Sequence, residues 1–535
     1  MTAIFQTVLF MMAVLAAVAV AAKRLNLAPS ILLVVAGIGM ALVPGLPKVR
    51  LAPELVLLVI LPPLIYSAGV SMSWRDFRFN LRPIGLLAFG CVVFTTCAVA
   101  AAAHYLLKFD WAVGFLLGAI IAPPDVVAPL AIARRLGLPR RLVVVLEGEG
   151  LANDATALIL YRFAVAAVVT GTFSLEKAAG GFALIVAGEI VYGIGVGWFS
   201  LRLRQWARDP RVEITLSLMT PYLAFWVPAH LGGSGVLATV ACGLYVSWNG
   251  PRLIAPATRL QGIFFWDLIV YLIEGMVFLL TGLQVRTLID GAQAFSITDL
   301  LIATALMTAI VIAARFIWVF PATYIPRWIV PGLRKRDPSP PWQGPFLLAF
   351  TGVRGVVSLA AALAIPYFLD SGAPFPHRDL ILFVTFGVII VTLVGQGLML
   401  PSVVRWLGLA KLGKIERQEE IKHELRARQA ALKQVEKRLE KAIKEHDLPN
   451  YAVEHLRTRN QSRLQILPTN LTEGLDHMRR TAKVKAELIE AERDFIYQLL
   501  RDGKITDEAR RRIEYELDLE EASVANRTQD GGGWF

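Results

Sequence analysis

The stretch Leu146-Glu147-Gly148-Glu149-Gly150-Leu151-Ala152-Asn153-Asp154-Ala155-Thr156-Ala157-Leu158-Ile159-Leu160 decides how this chain is read. Apolar runs flank it on both sides, yet it holds Glu147, Glu149, Asn153 and Asp154. An ionised carboxylate at mid-bilayer costs at least roughly 2.5 kcal/mol, and carboxylates that persist there mark ion or proton pathways.

The surroundings agree that this is a membrane protein. Of 535 residues, 56% are hydrophobic, against roughly 45–50% in soluble domains. The apolar residues fall into blocks of roughly 20, the length of a helix that crosses hydrocarbon. About thirteen such blocks precede residue 409, at roughly 4–22, 28–46, 52–71, 83–107, 111–134, 141–170, 178–201, 211–229, 233–249, 262–285, 297–320, 343–369 and 379–407. The first opens at Ile4 without a basic n-region or a clear cleavage site and reads as a retained helix.

The net charge of +12 does not point to nucleic acid, because its distribution follows a membrane rule. Lys23, Arg24, Arg75, Arg78, Arg82, Arg134, Arg135, Arg140, Arg141, Arg202, Arg204, Arg208, Arg211, Arg252, Arg259, Arg327, Arg334, Lys335 and Arg336 fill alternate loops. The intervening loops hold only Lys48, Arg50, Lys108, Lys177, Arg286 and Arg378. The richer set is assigned to the cytoplasm by the positive-inside rule, which puts the N-terminus outside and the C-terminal segment inside. Cys91, Cys97 and Cys242 all lie in apolar blocks, with no metal or disulfide spacing. The seven histidines are scattered. No Ser/His/Asp set, His-Glu-x-x-His or proteolytic Asp pair is visible, so no enzyme is expected.

Two blocks are interrupted. The fifth holds Pro123-Pro124-Asp125 and Pro129; the twelfth holds Thr351-Gly352-Val353-Arg354-Gly355 and Pro366. Proline removes a backbone donor and breaks a helix. Unwound backbone at membrane depth survives only where protein or a cavity covers it, and a matched pair of broken helices is a pointer to a transporter site. The offset of seven blocks gives the two halves opposite orientations, as an inverted repeat requires. Beyond residue 409 the chain turns charged. A coiled-coil-like helix is expected over 414–447 on Leu425, Leu432 and Leu439. Pro449-Asn450 ends it, and helices follow at about 473–501 and 505–523 with Asp502-Gly503 between. The final Asp530–Phe535 stretch reads as unstructured.

Asp154 is the leading ligand for a transported cation. Burial disfavours an ionised carboxyl group, so proton and cation compete for the same oxygens, and that competition couples two gradients. Glu149 and Asn153, four residues apart, share a helix face, with Asp154 about 100° further round. Glu149 needs a charged partner, and Arg354 on the other broken helix is the expected one. A single titrating acid then gives electroneutral exchange. Glu147 is placed at a vestibule. Asp125 either binds cation or caps the adjacent half-helix, and the freed carbonyls of Ala122, Pro123 and Pro124 are of the type that coordinate sodium. Glu189, Asp267, Glu274, Arg162, Arg315 and His104 are weaker candidates; Arg162 is a possible internal counter-charge, and Glu274 is placed at an interface or funnel.

Glu149-Gly150-Leu151-Ala152-Asn153-Asp154 resembles the Asn-Asp signature of the CPA1 group of monovalent cation:proton antiporters, bacterial sodium/proton antiporters related to animal sodium/proton exchangers. Pro124-Asp125-Val126 and Gly352-Val353-Arg354-Gly355-Val356-Val357-Ser358-Leu359 resemble that group's fifth- and twelfth-helix motifs, and the likeness covers about residues 4–407. The resemblance implies an all-α polytopic membrane protein of about thirteen transmembrane helices with inverted repeats and two broken helices. A helical cytosolic tail over 409–535 follows the membrane domain of 1–408. It also implies a homodimer with an elevator-like core (about 83–170 and 297–407) moving against a dimerisation side (about 4–71 and 211–285). Asp154 would bind cation and proton, with Asn153, Asp125, Pro124 and Glu149 beside it, and Glu149 and Arg354 would form a supporting pair. No cofactor is implied, only the transported Na+, K+ or Li+ and the proton. Many members carry Thr where this chain has Pro124 and Ser where it has Gly150, which leaves the choice among sodium, potassium and lithium open. A cation channel or ion sensor using the same site is the rival reading. The tail's partner is not legible.

Overall fold

A computed structural model describes residues 2–25, 27–43, 51–172, 174–291, 296–446, 449–465 and 471–528. The chain divides into two compact units, Met1–Ala410 and Lys411–Phe535.

The first unit is helical: α1 (Thr2–Leu25), α2 (Pro29–Leu42), α3 (Leu55–Ser71), α4 (Leu81–Leu107), α5 (Trp111–Ile121), α6 (Val127–Leu136), α7 (Arg140–Thr170), α8 (Leu175–Ala207), α9 (Pro210–His230), α10 (Val236–Leu253), α11 (Pro256–Leu283), α12 (Ile297–Ile329), α13 (Gln343–Phe350), α14 (Val356–Leu363) and α15 (Arg378–Trp406). A helix or a pair of half-helices lies at each expected apolar block. Among the described residues seven, α1, α4, α7, α8, α11, α12 and α15, are long and apolar enough by themselves to cross a membrane. Others, α2, α3 and α5, are apolar but shorter.

The ends follow from local chemistry. Asp209 accepts from the N–H groups of Arg211 and Val212 to cap α9, with Pro210 in its first turn. Gly137, at φ 64°, closes α6 in the left-handed region. Pro123 and Pro124 separate α5 from α6, and Thr351–Gly355 separates α13 from α14.

Helix α5, Trp-Ala-Val-Gly-Phe-Leu-Leu-Gly-Ala-Ile-Ile, has no polar side chain on its interior face, and Leu116, Leu117, Ile120 and Ile121 are fully buried. It lies directly on α4, because a Cβ at Gly114 would meet the backbone of Ala100 and one at Gly118 that of Thr96. Small residues four apart on both partners allow this approach, as expected in membranes, where close packing rather than hydrophobicity holds helices together. Cys91 and Cys242 are buried and Cys97 is exposed.

The second unit contains α16 (Leu409–His446), α17 (Asn450–Gln465), α18 (Leu471–Arg501) and α19 (Asp507–Thr528). Helix α17 was not expected from sequence, because its apolar face is short, with Ala452, Val453 and Leu456 half-buried in an otherwise polar segment. Gly503, at φ 66°, turns the chain between α18 and α19, which Arg493 ties together through Asp518 and Glu521, each at 2.8 Å. The terminal Asp530–Phe535 stretch lies outside the described residues.

Candidate functional site

The two helix breaks cross each other. The Asp125 N–H donates to the carbonyl of Val353 at 2.7 Å, and Arg354 Nη1 donates to the carbonyl of Ala122 at 2.5 Å. The Arg354 N–H in turn donates to Thr392 Oγ1 on α15 at 3.0 Å. Interior backbone groups freed by a break must find partners, and here each break supplies part of what the other lacks. Gly355 permits the crossing: a Cβ there would overlap the Asp125 carboxylate. Gly150 plays a similar part on α7, where a Cβ would strike the side chain of Val126.

Asp125 Oδ1 accepts the Val127 N–H at 2.9 Å, so this carboxylate caps the start of α6. Its carboxylate also lines a cavity of about 370 Å3 that Asp154, Glu147, Arg134 and Glu274 share. Asp154, one residue past Asn153 on α7, opens onto that cavity and, among the described residues, has no hydrogen-bond partner. Asn153 is fully buried and donates Nδ2 to the carbonyl of Pro124 at 2.6 Å. Its Oδ1 is buried with no partner among the described residues, and Asn153 is not among the residues that line the cavity.

The freed carbonyls are not idle. Those of Ala122 and Pro124 are engaged by Arg354 and Asn153, because an interior carbonyl without a donor costs about 1–3 kcal/mol. Each keeps one lone pair. Among the described residues no group of three or more His, Cys, Asp or Glu side chains could hold a metal. A cation in the cavity would therefore rely on Asp154 and Asp125 with backbone oxygens.

The supporting ion pair differs from expectation. Glu149 does not bond Arg354. It takes both terminal nitrogens of Arg315 on α12, at 2.5 and 2.8 Å. The pair is sealed, at 1% and 0% side-chain exposure. Arg315 Nε also donates to the Leu348 carbonyl at the end of α13, at 3.0 Å. The reason is geometric: Arg354 sits inside the break and is drawn to Ala122, while Arg315 reaches across from an unbroken helix.

The remaining candidates separate clearly. Glu147 lines the cavity and pairs with Arg134 at 2.6 Å. Glu274 lines the same cavity from α11. Glu189 is buried and accepts the N–H groups of Ser234, Gly235 and Leu237, an anion at the N-terminus of α10. Arg162 donates to the Ala229 carbonyl, and His104 meets the Phe109 carbonyl at 2.7 Å. Asp267 is exposed on α11.

The model of the transmembrane sodium/hydrogen exchanger family matches residues 10–406. An uncharacterised Na+/H+ exchanger of Mycobacterium tuberculosis is 33% identical over 94% of this chain and 92% of its own length. The Na+/H+ antiporter ApNhaP of Aphanothece halophytica is 35% identical over 76% of this chain and 74% of its own. A sodium, potassium, lithium and rubidium/H+ antiporter of Bacillus pumilus is 34% identical over 74% of this chain and 61% of its own. In fold, the chain is similar to the sodium proton antiporter MjNhaP1 from Methanocaldococcus jannaschii. The TM-score is 0.60 at 18% identity, over 76% of this chain and 99% of that one.

Proposed function

The chain belongs to the transmembrane sodium/hydrogen exchanger family, and from that premise we propose that it exchanges Na+ for H+ across a bacterial-type plasma membrane, with Asp154 as the group that carries either ion. One observation carries this reading: a carboxylate without a hydrogen-bond partner among the described residues opens onto a cavity where two broken helices cross.

Each neighbour has a role in the proposal. One oxygen of Asp125 and the second lone pair of the Pro124 carbonyl, both residues of the cavity wall, complete the cation's shell, and Asn153 holds that carbonyl in place. Glu149 and Arg315 fasten α7 to α12. One carboxylate taking either one proton or one monovalent cation gives electroneutral exchange. Alternating access follows if α4–α7 and α12–α15 move together against α1–α3 and α9–α11, as the core and the dimer side of a homodimer. The N-terminus is outside and the tail is cytoplasmic. Potassium and lithium remain candidate cargo, since Pro124 and Gly150 present no hydroxyl to select sodium.

The test is reconstitution into vesicles with an imposed pH gradient. Addition of Na+, Li+ or K+ should dissipate the gradient without net current, and Asp154→Asn should abolish this. Current without coupled proton movement would favour a channel and overturn the proposal.

A further inference from the structure

Away from the cavity, three arginines from different helices converge on one aspartate. Asp337, in the segment before α13, meets Arg82 at 3.0 Å, Arg141 at 2.7 Å and Arg327 at 2.7 Å. One carboxylate cannot neutralise three guanidinium groups, so the cluster keeps two positive charges. Arg327 is nearly sealed, at 4% exposure. Its Nε and Nη1 also donate to the carbonyls of Asp337 and Thr323. Arg82 Nη1, by contrast, is buried with no hydrogen-bond partner among the described residues.

Beneath the arginines lies a crevice of about 70 Å3 between α4, α7, α12 and α13, walled by Leu86, Leu87, Val145, Val319, Pro345 and Leu348. Arg82, Arg141 and Arg327 line it as well. These arginines stand at the start of α4, the start of α7 and the end of α12, one face of the membrane unit. Trp342, packed on Trp406 with ring centres 5.9 Å apart, and the 83%-exposed Trp328 mark the level of the lipid headgroups there. A cationic rim over a short apolar slot at headgroup level matches an amphiphile that carries an anionic head and a hydrocarbon chain.

We propose that this cluster and crevice bind an anionic phospholipid, its phosphate between Arg82 and Arg141 and a length of its acyl chain in the slot. Bidentate guanidinium groups suit phosphate geometry, and the unpartnered Arg82 Nη1 gains the acceptor it lacks. Free phosphate shares the head chemistry but has no use for the slot. The proposal does not depend on which cation Asp154 carries.

The experiment uses the purified full-length protein in a neutral detergent. Melting temperature is titrated with dioleoyl phosphatidylglycerol, with dioleoyl phosphatidylcholine and with inorganic phosphate. Phosphatidylglycerol should stabilise the protein well beyond the other two. Arg82→Gln should weaken its apparent affinity about fivefold, the effect of one basic side chain at an anionic lipid surface, and Arg82→Gln/Arg141→Gln should erase the preference. Leu142 also lines the crevice, and Leu142→Trp, which narrows it while keeping every arginine, should reduce the preference as well. Equal stabilisation by both lipids, full reproduction by inorganic phosphate, or an unchanged preference in Arg82→Gln overturns the proposal. Arg82→Gln decides the matter if the double variant does not fold, because Arg82 is 28% exposed and Asp337 keeps two other partners.

Discussion

Arg315→Met removes the guanidinium that holds Glu149, and its cost follows from the bonds it breaks. Both side chains are out of water, at 1% and 0% exposure, and two charge-assisted bonds of 2.5 and 2.8 Å join them. Stranding one member of such a pair costs roughly 3–5 kcal/mol, mostly as the penalty of an uncompensated buried charge. The Leu348 carbonyl also loses its donor, worth about 1–3 kcal/mol where no water replaces it. Arg354→Gln loses only the bond to Ala122 and leaves Glu149 satisfied, so about 1–3 kcal/mol is expected. Glu149→Met with Arg315→Met replaces the whole pair by apolar groups and should recover most of the loss, so the two single-variant costs together should exceed the cost of the double by more than about 3 kcal/mol. The assay is denaturant and thermal unfolding of the four purified proteins in one detergent. The reasoning fails if Arg354→Gln proves more damaging than Arg315→Met, or if the two methionine substitutions are simply additive.

Other outcomes follow from the same geometry. Asp125→Asn keeps an oxygen for the Val127 N–H and should fold like the parent, while Asp125→Ala should lose about 1 kcal/mol of cap stability, read as a lower melting temperature. Gly355→Ala places a methyl against the Asp125 carboxylate and should cut exchange in vesicles sharply even where protein is recovered in the membrane. Glu147→Gln breaks a partly exposed pair, at 20% and 42% exposure, and should shift stability by under about 1 kcal/mol. Its visible effect should be a weaker apparent cation affinity at low salt that fades as ionic strength rises.

Much of the architecture was legible because hydrocarbon leaves the backbone few choices. The apolar blocks had to be helices, and Pro123-Pro124 and Gly352–Gly355 had to interrupt them. Asp154 was legible for the same reason: a carboxylate inside an apolar run has to be explained. What stayed hidden depended on three-dimensional proximity. Arg315 and Arg354 are both arginines in apolar surroundings, and only packing decides which reaches Glu149. The freed carbonyls looked available because a sequence shows which acceptors a break frees but not the donors that reach them. The role of Glu189 as an anion on the α10 N-terminus required knowing that α8 lies beside that end. Helix α17 carries only the short stripe of Ala452, Val453 and Leu456, too little for periodicity to report. Arg82, Arg141 and Arg327 could be counted as positive-inside charges, yet their meeting on Asp337 is a property of the fold alone.

The central claim is that one carboxylate trades its proton for a metal ion. The most direct measurement is the initial rate of sodium-driven proton movement in vesicles, as a function of sodium at several values of pH. Competition at Asp154 predicts one maximal rate throughout and, in the acid range, an apparent KM for sodium that rises by about tenfold for each unit the pH falls. A KM indifferent to pH, or the same exchange retained by Asp154→Asn, would contradict the account.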